Sequence, residues 1–176
     1  MATEILWRAP GKMTQFEQRS LELLVEDVSD EFVPPLTTQS STTQEVLASA
    51  GGSALSSYFD EMLMQHCLLL IERAQLQGFL SFRILHRDAR LPQIGICIYV
   101  STISVRPAVR GRGFARLLYQ ELLELPETLP AWILLRTRST NTHHLQLLNT
   151  LGFKHLLTVP NDRDSGVDSI YLGRKR

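Results

Sequence analysis

The fold is decided by one stretch in the middle of the chain, Ile103-Ser-Val-Arg-Pro-Ala-Val-Arg-Gly-Arg-Gly-Phe-Ala-Arg116. Its first residues continue an apolar run that is typical of a strand, and Pro107 ends that run. After Gly113, apolar residues recur at helical spacing as far as position 125. The stretch therefore predicts a strand, a tight turn that contains glycine, and an amphipathic helix.

The turn predicts a phosphate site. Glycines at 111 and 113 keep side chains away from a ligand that approaches the backbone. The amides of residues 111–115 are expected to point out of the helix N-terminus, where unpaired N–H groups and the helix dipole favour an anion. Three fork-shaped guanidinium groups stand beside them, those of Arg110, Arg112 and Arg116. A diphosphate is the ligand that this arrangement suits.

Familiar phosphate motifs do not account for the turn. A Walker A sequence requires Lys and then Ser or Thr after its last glycine, whereas Phe114 and Ala115 follow Gly113 here. The dinucleotide pattern G-x-G-x-x-G fails at Arg116, where its third glycine belongs. RNA-binding RGRG segments are normally disordered, but this one leads directly into a helix. Kinase-like, NAD-binding and RNA-binding functions are therefore disfavoured.

Outward from the turn, the patterns predict a single α/β domain with a mixed sheet over residues 1–176. Strands are predicted at residues 5–8, 67–72, 78–86, 94–105, 132–138, 154–159 and 167–172. Helices are predicted after positions 14 and 42, and at residues 55–62, 114–125 and 142–151.

The N-terminal third is predicted to be helical and to contain a joint. Thr14 with Glu17, and Thr42 with Glu45, form the Thr-x-x-Glu capping box that begins a helix. The adjacent glycines at 51 and 52 interrupt the second helix, either as a flexible joint that lets this part of the chain move or as a helix cap.

Composition excludes several classes of protein. The 176 residues are 44% hydrophobic and 20% charged and carry no formal net charge. This composition is that of an ordinary globular domain, and it disfavours nucleic-acid binding through bulk positive charge. The charge is nonetheless segregated, with 3 Lys and Arg against 10 Asp and Glu up to position 66, and 15 against 8 beyond it. Either two ligands face two differently charged halves, or the charge is scattered over the surface.

No metal or membrane association is expected. Cys67 and Cys97 lie in apolar runs without metal-ligand or redox spacing, so we expect buried thiols. Glu4 occupies a position where a signal peptide is basic, and the longest apolar stretch, residues 62–71, is too short to span a membrane. We expect a cytoplasmic protein.

The turn matches the acyl-CoA signature Q/R-x-x-G-x-G/A at Arg110, Gly113 and Ala115. Val105-Arg-Pro107 precedes it, and residues 141–153 end in Leu-Gly-Phe, similar to a second motif of the same family. The chain therefore resembles the GNAT superfamily of acyl-CoA-dependent N-acyltransferases over essentially its whole length. The resemblance implies the GNAT-type acyl-CoA N-acyltransferase fold, a mixed central sheet flanked by helices, and acetyl-CoA as the acyl donor.

The same resemblance implies which residues hold the donor. The amides of the turn would cradle the CoA pyrophosphate. The strand before the turn would splay from its neighbour, so that its backbone pairs with the pantetheine arm and polarises the thioester carbonyl. Asn141 matches a position that often contacts the cofactor arm, although its residue type also suits a plain N-cap. The implied cofactor-binding residues are Ile103, Ser104, Val105, Arg110, Gly111, Arg112, Gly113, Phe114, Ala115, Arg116 and Asn141.

The group that accepts the proton of the attacking amine is left open. Many family members carry a glutamate on the strand before the signature and a tyrosine at the position of Leu148, and this chain has neither. His144 is the first catalytic candidate and Tyr99 the second, although a lone histidine on a helix commonly serves packing. A water relay held by Thr102, Ser104 or Ser139 is the alternative. His66, His86 and His155 are assigned to structure.

The expected activity is direct transfer of the acetyl group, in a ternary complex, to a small-molecule or peptide amine, by a monomer or homodimer. The acidic N-terminal helices favour a cationic acceptor such as a polyamine, an aminoglycoside or a peptide amine. Their acidic residues are Glu17, Glu22, Glu26, Asp27, Asp30, Glu31, Glu45, Asp60 and Glu61. The alternative is a GNAT-fold binding or regulatory module that holds CoA or a partner protein without turnover.

Overall fold

The structure is a computed structural model that describes residues 3–31 and 54–176. The expected capping box at Thr42 and the glycine joint at 51 and 52 lie outside the described residues. In chain order the elements are β1 (Thr3–Arg8), α1 (Gln15–Asp27), α2 (Ala54–Leu63), β2 (His66–Glu72), β3 (Gln75–His86), β4 (Cys97–Val105), α3 (Phe114–Leu123), β5 (Trp132–Arg138), α4 (Thr142–Thr150), β6 (Lys154–Asp164) and β7 (Val167–Lys175).

The strands form a mixed sheet of seven with the hydrogen-bonded order β1-β2-β3-β4-β5-β7-β6. β2 is antiparallel to β1 and β3, and β7 is antiparallel to β5 and β6. β4 and β5 are parallel, and α3 makes the long crossover that a parallel pair requires. The predicted α/β class with a mixed sheet is confirmed.

The chain divides into two compact units, of which the first comprises Met1–Phe82 and Ser101–Glu124. Its core is formed by the apolar faces of α1 and α2 against β2 and β3. The predicted start of α1 is confirmed, because the Thr14 hydroxyl accepts from the Glu17 amide and the Glu17 carboxylate accepts from the Thr14 amide at 2.8 Å. Reciprocal capping satisfies two amides that the helix leaves without partners.

The second unit comprises Arg83–Val100 and Leu125–Arg176. Its apolar cluster joins side chains of β4, β5 and β7 to the loop before β4, namely Cys97, Tyr99, Leu134, Tyr171 and Leu91. Gly152 follows the last turn of α4 with a φ of +80°, and the Phe153 amide donates back to the Leu148 carbonyl at 3.0 Å. This hydrogen bond closes a Schellman motif, so the predicted C-terminal glycine of the helix is confirmed.

Four strand boundaries differ from the prediction by three residues or more. β3 begins at Gln75 instead of Gly78, and β7 ends at Lys175 instead of Leu172. The strand expected from position 94 begins at Cys97, because Pro92–Ile94 form a 3-10 turn and Gly95 has a φ of +69°. β6 continues through Pro160 to Asp164 instead of ending at Val159. β6 is the last strand in the order, and an edge strand tolerates a proline because one row of its amides has no ladder partner.

Candidate active site

The strand that leads into the glycine turn is tied to β3 in the first unit. The Arg106 amide donates to the Gln77 carbonyl at 2.8 Å, and Arg106 Nε donates to the Leu76 carbonyl at 2.7 Å. Gly78 lets the two strands approach closely, since a Cβ there would lie 2.9 Å from the Ser104 carbonyl oxygen. These contacts hold the end of β4, where Ile103, Ser104 and Val105 lie, against its neighbour.

The glycines of the turn are required by backbone conformation. Gly111 and Gly113 have φ values of +79° and +82°, which other residues adopt only with strain. A Cβ on either would meet nothing within 4 Å. Nothing in the described chain therefore crowds these two glycines on the side of a Cβ. Glycine was expected at these positions because it leaves room for a ligand. The positive φ of the backbone is a second and independent reason for glycine here.

The turn presents a row of amide donors at the start of α3. Gly113 occupies the N-cap position of this ten-residue helix, and its carbonyl accepts the first helical hydrogen bond, from Leu117 at 3.0 Å. Within the described part of the chain, the amides of Gly111, Arg112, Gly113, Phe114 and Ala115 have no hydrogen-bond acceptor. The structure thus contains the expected donors, and they fit a diphosphate.

Two of the three arginines beside the turn already face carboxylates. Arg112 donates to both carboxylate oxygens of Glu72, at 2.6 and 2.8 Å, and its guanidinium lies 4.6 Å from the centre of the Phe114 ring. This hydrogen bonding holds the pKa of Glu72 below its ordinary value. Arg110 donates to both oxygens of Glu31, at 2.8 and 3.0 Å, and its Nε donates to the Val105 carbonyl at 3.1 Å.

Arg116, the third of these arginines, lies exposed on the first turn of α3. All the expected donor-binding residues from Ile103 to Arg116 therefore lie in the first unit.

Three other expected site residues, Tyr99, Asn141 and His144, belong to the second unit. Tyr99 lies on β4 with its ring centre 4.5 Å from that of His86, and burial raises the pKa of its hydroxyl to about 12. His144 lies on α4 with Nδ1 3.3 Å from the Thr137 hydroxyl, and burial lowers the pKa of its imidazole to about 4. At neutral pH both side chains are uncharged.

Asn141 occupies the N-cap position of α4, but its side chain makes no capping hydrogen bond. The plain capping role therefore gains no support from the structure, and its amide remains a candidate ligand contact. Leu148, which stands where many family members have tyrosine, is completely buried on α4. An apolar side chain at this position packs and supplies no proton.

Two of the three hydroxyls considered for a water relay, those of Thr102 and Ser139, have protein partners. Thr102 on β4 shares a short buried hydrogen bond with the Tyr58 hydroxyl of α2. The Ser139 hydroxyl accepts from the Asp168 amide at 3.1 Å. These contacts tie elements together within each unit, which is an ordinary structural role for such groups.

The histidines assigned to structure have structural contacts. His66 Nδ1 accepts from the Trp7 indole at 3.2 Å and stacks on Phe82, His86 contacts Tyr99, and His155 Nε2 lies 2.8 Å from the Thr158 hydroxyl.

The thiols and acidic side chains give no sign of a metal site. Cys67 and Cys97 are both buried free thiols, as expected. No group of three or more His, Cys, Asp or Glu side chains that could hold a metal ion occurs within residues 3–31 and 54–176. Over the same ranges, no helix has the length and apolar character needed to cross a bilayer.

The two glutamates that face the turn arginines were not predicted from the sequence. Glu72 is 40 positions from Arg112 and Glu31 is 79 positions from Arg110. No spacing rule links residues so far apart, so sequence offered no signal for these pairs. The Arg112–Phe114 contact, by contrast, joins residues two positions apart and could have been anticipated.

Comparison with known proteins agrees with this architecture. The sequence profile of the Acetyltransferase (GNAT) family matches residues 25–153. No curated protein matches the chain by sequence. Among solved structures, Arabidopsis thaliana NAA60 in complex with acetyl-CoA is similar with a TM-score of 0.70 and 15% identity, over 98% of this chain and 100% of that chain.

Two bacterial structures are similar to the same degree. The ribosomal-protein-alanine N-acetyltransferase of Brucella melitensis gives a TM-score of 0.69 and 16% identity, over 97% of this chain and 99% of its own. A GNAT-family acetyltransferase from Bacillus cereus gives 0.66 and 18%, over 100% and 99%. At these identities the likeness is one of fold. Because the family profile also covers most of the sequence, the chain belongs to the GNAT acetyltransferase family.

Proposed function

We propose that this protein is an acetyl-CoA-dependent N-acetyltransferase that transfers the acetyl group directly to a primary amine in a ternary complex. The observation that carries the proposal is the row of amides from Gly111 to Ala115 at the N-terminus of α3, which have no acceptor in the described chain. Helix N-termini of this kind bind phosphate groups. Membership of the GNAT family supports acetyl-CoA as the acyl donor.

The pyrophosphate of acetyl-CoA would lie against these amides, with Phe114 and the arginines 110, 112 and 116 beside it. Arg110 and Arg112 are held in place by Glu31 and Glu72, so the guanidinium groups are ordered before the ligand arrives. A phosphate that approaches either arginine shares it with a carboxylate, which weakens the net attraction. The backbone amides therefore provide most of the binding.

The backbone of Ile103, Ser104 and Val105 would pair with the pantetheine arm and direct an amide at the thioester carbonyl. As the amine attacks, negative charge develops on that carbonyl oxygen, and a fixed N–H donor stabilises it. The contacts of Arg106 with β3 hold this part of β4 rigid, which supports such a role. Asn141, whose side chain makes no cap, is proposed to contact the cofactor arm.

Proton transfer is proposed to involve His144 or Tyr99, or an ordered water. With a pKa of about 4, the His144 imidazole is uncharged at neutral pH and is a weak base. It therefore suits a proton relay only where the attacking amine is already neutral. Tyr99, with a pKa of about 12, remains protonated and suits hydrogen-bond donation. Replacing each with a side chain that cannot transfer a proton, His144→Gln and Tyr99→Phe, and comparing pH–rate profiles distinguishes the two.

The acceptor is proposed to be a small-molecule or peptide amine. The Brucella melitensis relative is named for acetylation of a ribosomal protein, which is compatible with a peptide acceptor here. The case for a cationic acceptor is weakened by ion pairing, since Glu17, Glu22 and Glu31 face Arg8, Arg19 and Arg110. Saturating spermidine or a basic peptide that gives no CoA release, where a neutral or acidic amine does, would refute a cationic acceptor.

A non-catalytic CoA-binding or regulatory module is the second candidate. It is favoured by Leu148, which is fully buried where relatives carry a proton donor, and by the absence of an acidic residue on β4. Both candidates are proposed for a single GNAT domain over residues 1–176, a monomer or homodimer in the cytoplasm. The two free thiols accord with a reducing compartment.

Thermal unfolding with and without acetyl-CoA tests the proposed donor site. A ligand at 100 times its dissociation constant adds about 2.7 kcal/mol to stability. We expect a clear rise in Tm with acetyl-CoA, and then CoA release with some amine acceptor. Stabilisation without release for any amine would favour the non-catalytic module, and no stabilisation would refute acetyl-CoA as the ligand of the turn.

A further inference from the structure

The two edge strands of the sheet differ in how they are protected. Among the described strands the order begins with β1 and ends with β6. β6 contains Pro160, charged residues at both ends and two register shifts against β7. Proline, edge charges and bulges keep an edge from pairing with another strand. β1, Thr-Glu-Ile-Leu-Trp-Arg, contains no proline or lysine and runs without a register shift along β2, so it is suited to pairing with a further strand.

The outer edge of β1 presents the backbone of Ile5 and Trp7. The Trp7 carbonyl accepts from Nη1 of its neighbour Arg8 at 3.4 Å in an exposed position, so it points away from β2. In an antiparallel strand the N–H and C=O of one residue point to the same edge, and alternate residues point to opposite edges. Ile5 therefore points the same way as Trp7, and among the described strands only β2 pairs with β1.

The centre of β1 is apolar and incompletely buried. Ile5 and Leu6 are half-buried, and Trp7 is 41% exposed. Leu6 packs against the core formed with α1 and α2, whereas the Trp7 ring contacts His66 and Phe82. All of these residues belong to the first unit. An added strand would extend the apolar surface around Leu6 and Trp7 and remove more of it from water.

The strand is complementary to itself. When two copies of β1 run antiparallel about a twofold axis at Leu6, Glu4 lies opposite the partner's Arg8, and Ile5 lies opposite the partner's Trp7. Opposite charges, and a β-branched residue facing an aromatic one, are favourable cross-strand pairs. The outward-facing backbones of Ile5 and the partner's Trp7 exchange both of their hydrogen bonds, and the symmetry repeats every pair.

Arg8 retains a donor for this contact. Its Nε and Nη2 donate to Glu17, whereas its Nη1 makes one long contact with the Trp7 carbonyl. A carbonyl oxygen has two lone pairs, so that contact leaves Trp7 able to accept from a second strand. The Glu4 side chain is exposed and acts on Arg8 of its own chain through charge at a distance. Glu4 and Nη1 of the partner's Arg8 are therefore both accessible to each other.

Other registers are less favourable. The outward direction of Ile5 and Trp7 restricts an antiparallel self-pair to shifts of the axis by one residue, which shift the pairing by two. An axis at Ile5 sets Glu4 opposite the partner's Leu6, and an axis at Trp7 sets Leu6 opposite the partner's Arg8. Both place a charge against an apolar side chain. Of these three registers, only the axis at Leu6 places the two opposite charges against each other.

We propose that β1 is the interface of a homodimer, in which two copies of this chain pair antiparallel about Leu6 and form one continuous sheet. The proposal goes beyond the acetyltransferase function and does not depend on it. A pair of six-residue strands is smaller than the standard protein interface of about 1,600 Å². The dimer is therefore expected to dissociate on dilution.

A cysteine at the symmetry axis tests the register. In Leu6→Cys the two new thiols face each other in a pair without backbone hydrogen bonds, about 4.5 Å apart between Cα atoms, which suits a disulfide. Ile5→Cys is the matched control, because its two thiols lie on a diagonal about 7–8 Å apart, too far for a disulfide. The native thiols of Cys67 and Cys97 are buried. Under mild oxidation, denaturing electrophoresis without reductant should show a covalent dimer for Leu6→Cys alone. Cross-linking of neither variant, or of both equally, would overturn the proposal.

Solution mass tests the dimer without a new thiol. Light scattering over a concentration series should show wild-type protein rising from 20.0 kDa towards twice that mass. Glu4→Arg sets like charges opposite each other twice and should weaken dimerisation about tenfold or more. Glu26→Arg makes the same charge change at an exposed position of α1 and should change dimerisation by less than about twofold. In dilute solution both variants should keep the wild-type Tm. A wild-type mass of 20.0 kDa up to about 1 mM, or equal weakening by both variants, would overturn the proposal.

Discussion

Replacing Gly113 with glutamate should weaken acetyl-CoA binding roughly a hundredfold while the protein still folds. Gly113 has a φ of +82°, and a Cβ at this position would meet nothing within 4 Å, so the new side chain would extend into the open surface before the amides. Gly166, in the β6–β7 hairpin of the second unit, has a φ of +76° and equally open surroundings. Gly166→Glu is therefore a matched control with the same charge change and the same backbone strain.

The expected magnitudes follow from strain and charge. A residue other than glycine in the left-handed region costs about 1–2 kcal/mol, which lowers Tm by roughly 2–8 °C in a chain of this size. At Gly113 the new carboxylate offsets up to about 1 kcal/mol by favourable interaction with the N-terminus of α3. Its repulsion of one phosphate charge at ~5 Å is about 3 kcal/mol at an effective dielectric constant of about 20, or roughly a hundredfold in affinity.

The assay is thermal unfolding of wild type and both variants, each with acetyl-CoA at 100 times the wild-type dissociation constant. Wild type and Gly166→Glu should gain about 2.7 kcal/mol, or roughly 5–11 °C in Tm. Gly113→Glu should gain only about 0.4 kcal/mol, or roughly 1–2 °C. An undiminished gain in Gly113→Glu would refute the assignment of the glycine turn as the pyrophosphate site, and an equal loss in Gly166→Glu would attribute the effect to strain.

Three further outcomes are expected. Arg8 holds the pKa of Glu17 below its unfolded value, so their contribution to stability is present above about pH 4.3 and is lost as pH falls further. Glu17→Gln should lower Tm at pH 7 by about 2–4 °C and reduce the loss on acidification, which thermal scans from pH 7 to pH 3 would reveal. His144 has a folded pKa of about 4 against about 6.5 unfolded, so it should destabilise the protein progressively as pH falls between these values, by up to about 3 kcal/mol. Its NMR signal, assigned by its absence in His144→Gln, should not titrate above about pH 5, and a midpoint near 6.5 would contradict its burial. Gly78→Ala places a Cβ 2.9 Å from the Ser104 carbonyl and should cost about 1–3 kcal/mol, with weaker acetyl-CoA binding because the end of β4 shifts; unchanged stability and affinity would contradict the close approach of β3 and β4.

Local signals predicted the elements well. The capping box of Thr14 and Glu17 joins residues three positions apart, so the local sequence alone specifies it, and α1 begins there. The strand at Trp132–Arg138 matches its predicted bounds because it is a short apolar run between turn residues. The predictions at Ile94 and Val159 were wrong by several residues. A 3-10 turn and a proline in an edge strand depend on neighbours in the sheet, which local pattern does not reveal.

The candidate site was predictable to the extent that it is local. Apart from Asn141, the proposed donor side lies within 14 consecutive residues, and Gly111 and Gly113, where glycine was expected, both have a positive φ. Its electrostatics were not predictable, because the partners of Arg110 and Arg112 are distant in the chain. The low pKa of His144 was not predictable either. It arises from burial, and nothing in the local sequence distinguishes His144 from its exposed neighbour His143.

The sequence by itself determined the elements, the glycine turn and the family, because each of these depends on interactions between residues close together in the chain. Helix capping, strand alternation and left-handed turns are set by a few consecutive backbone dihedrals and are therefore encoded locally. Only the tertiary structure decided which charges meet. Arg90 and Tyr171 are 81 positions apart, and Arg136 meets Asp162 at 3.4 Å because the sheet brings β5, β7 and β6 side by side. Burial then changes the free energy of those charged groups by removing them from water. Sequence cannot show this effect, since desolvation depends on the whole surrounding fold.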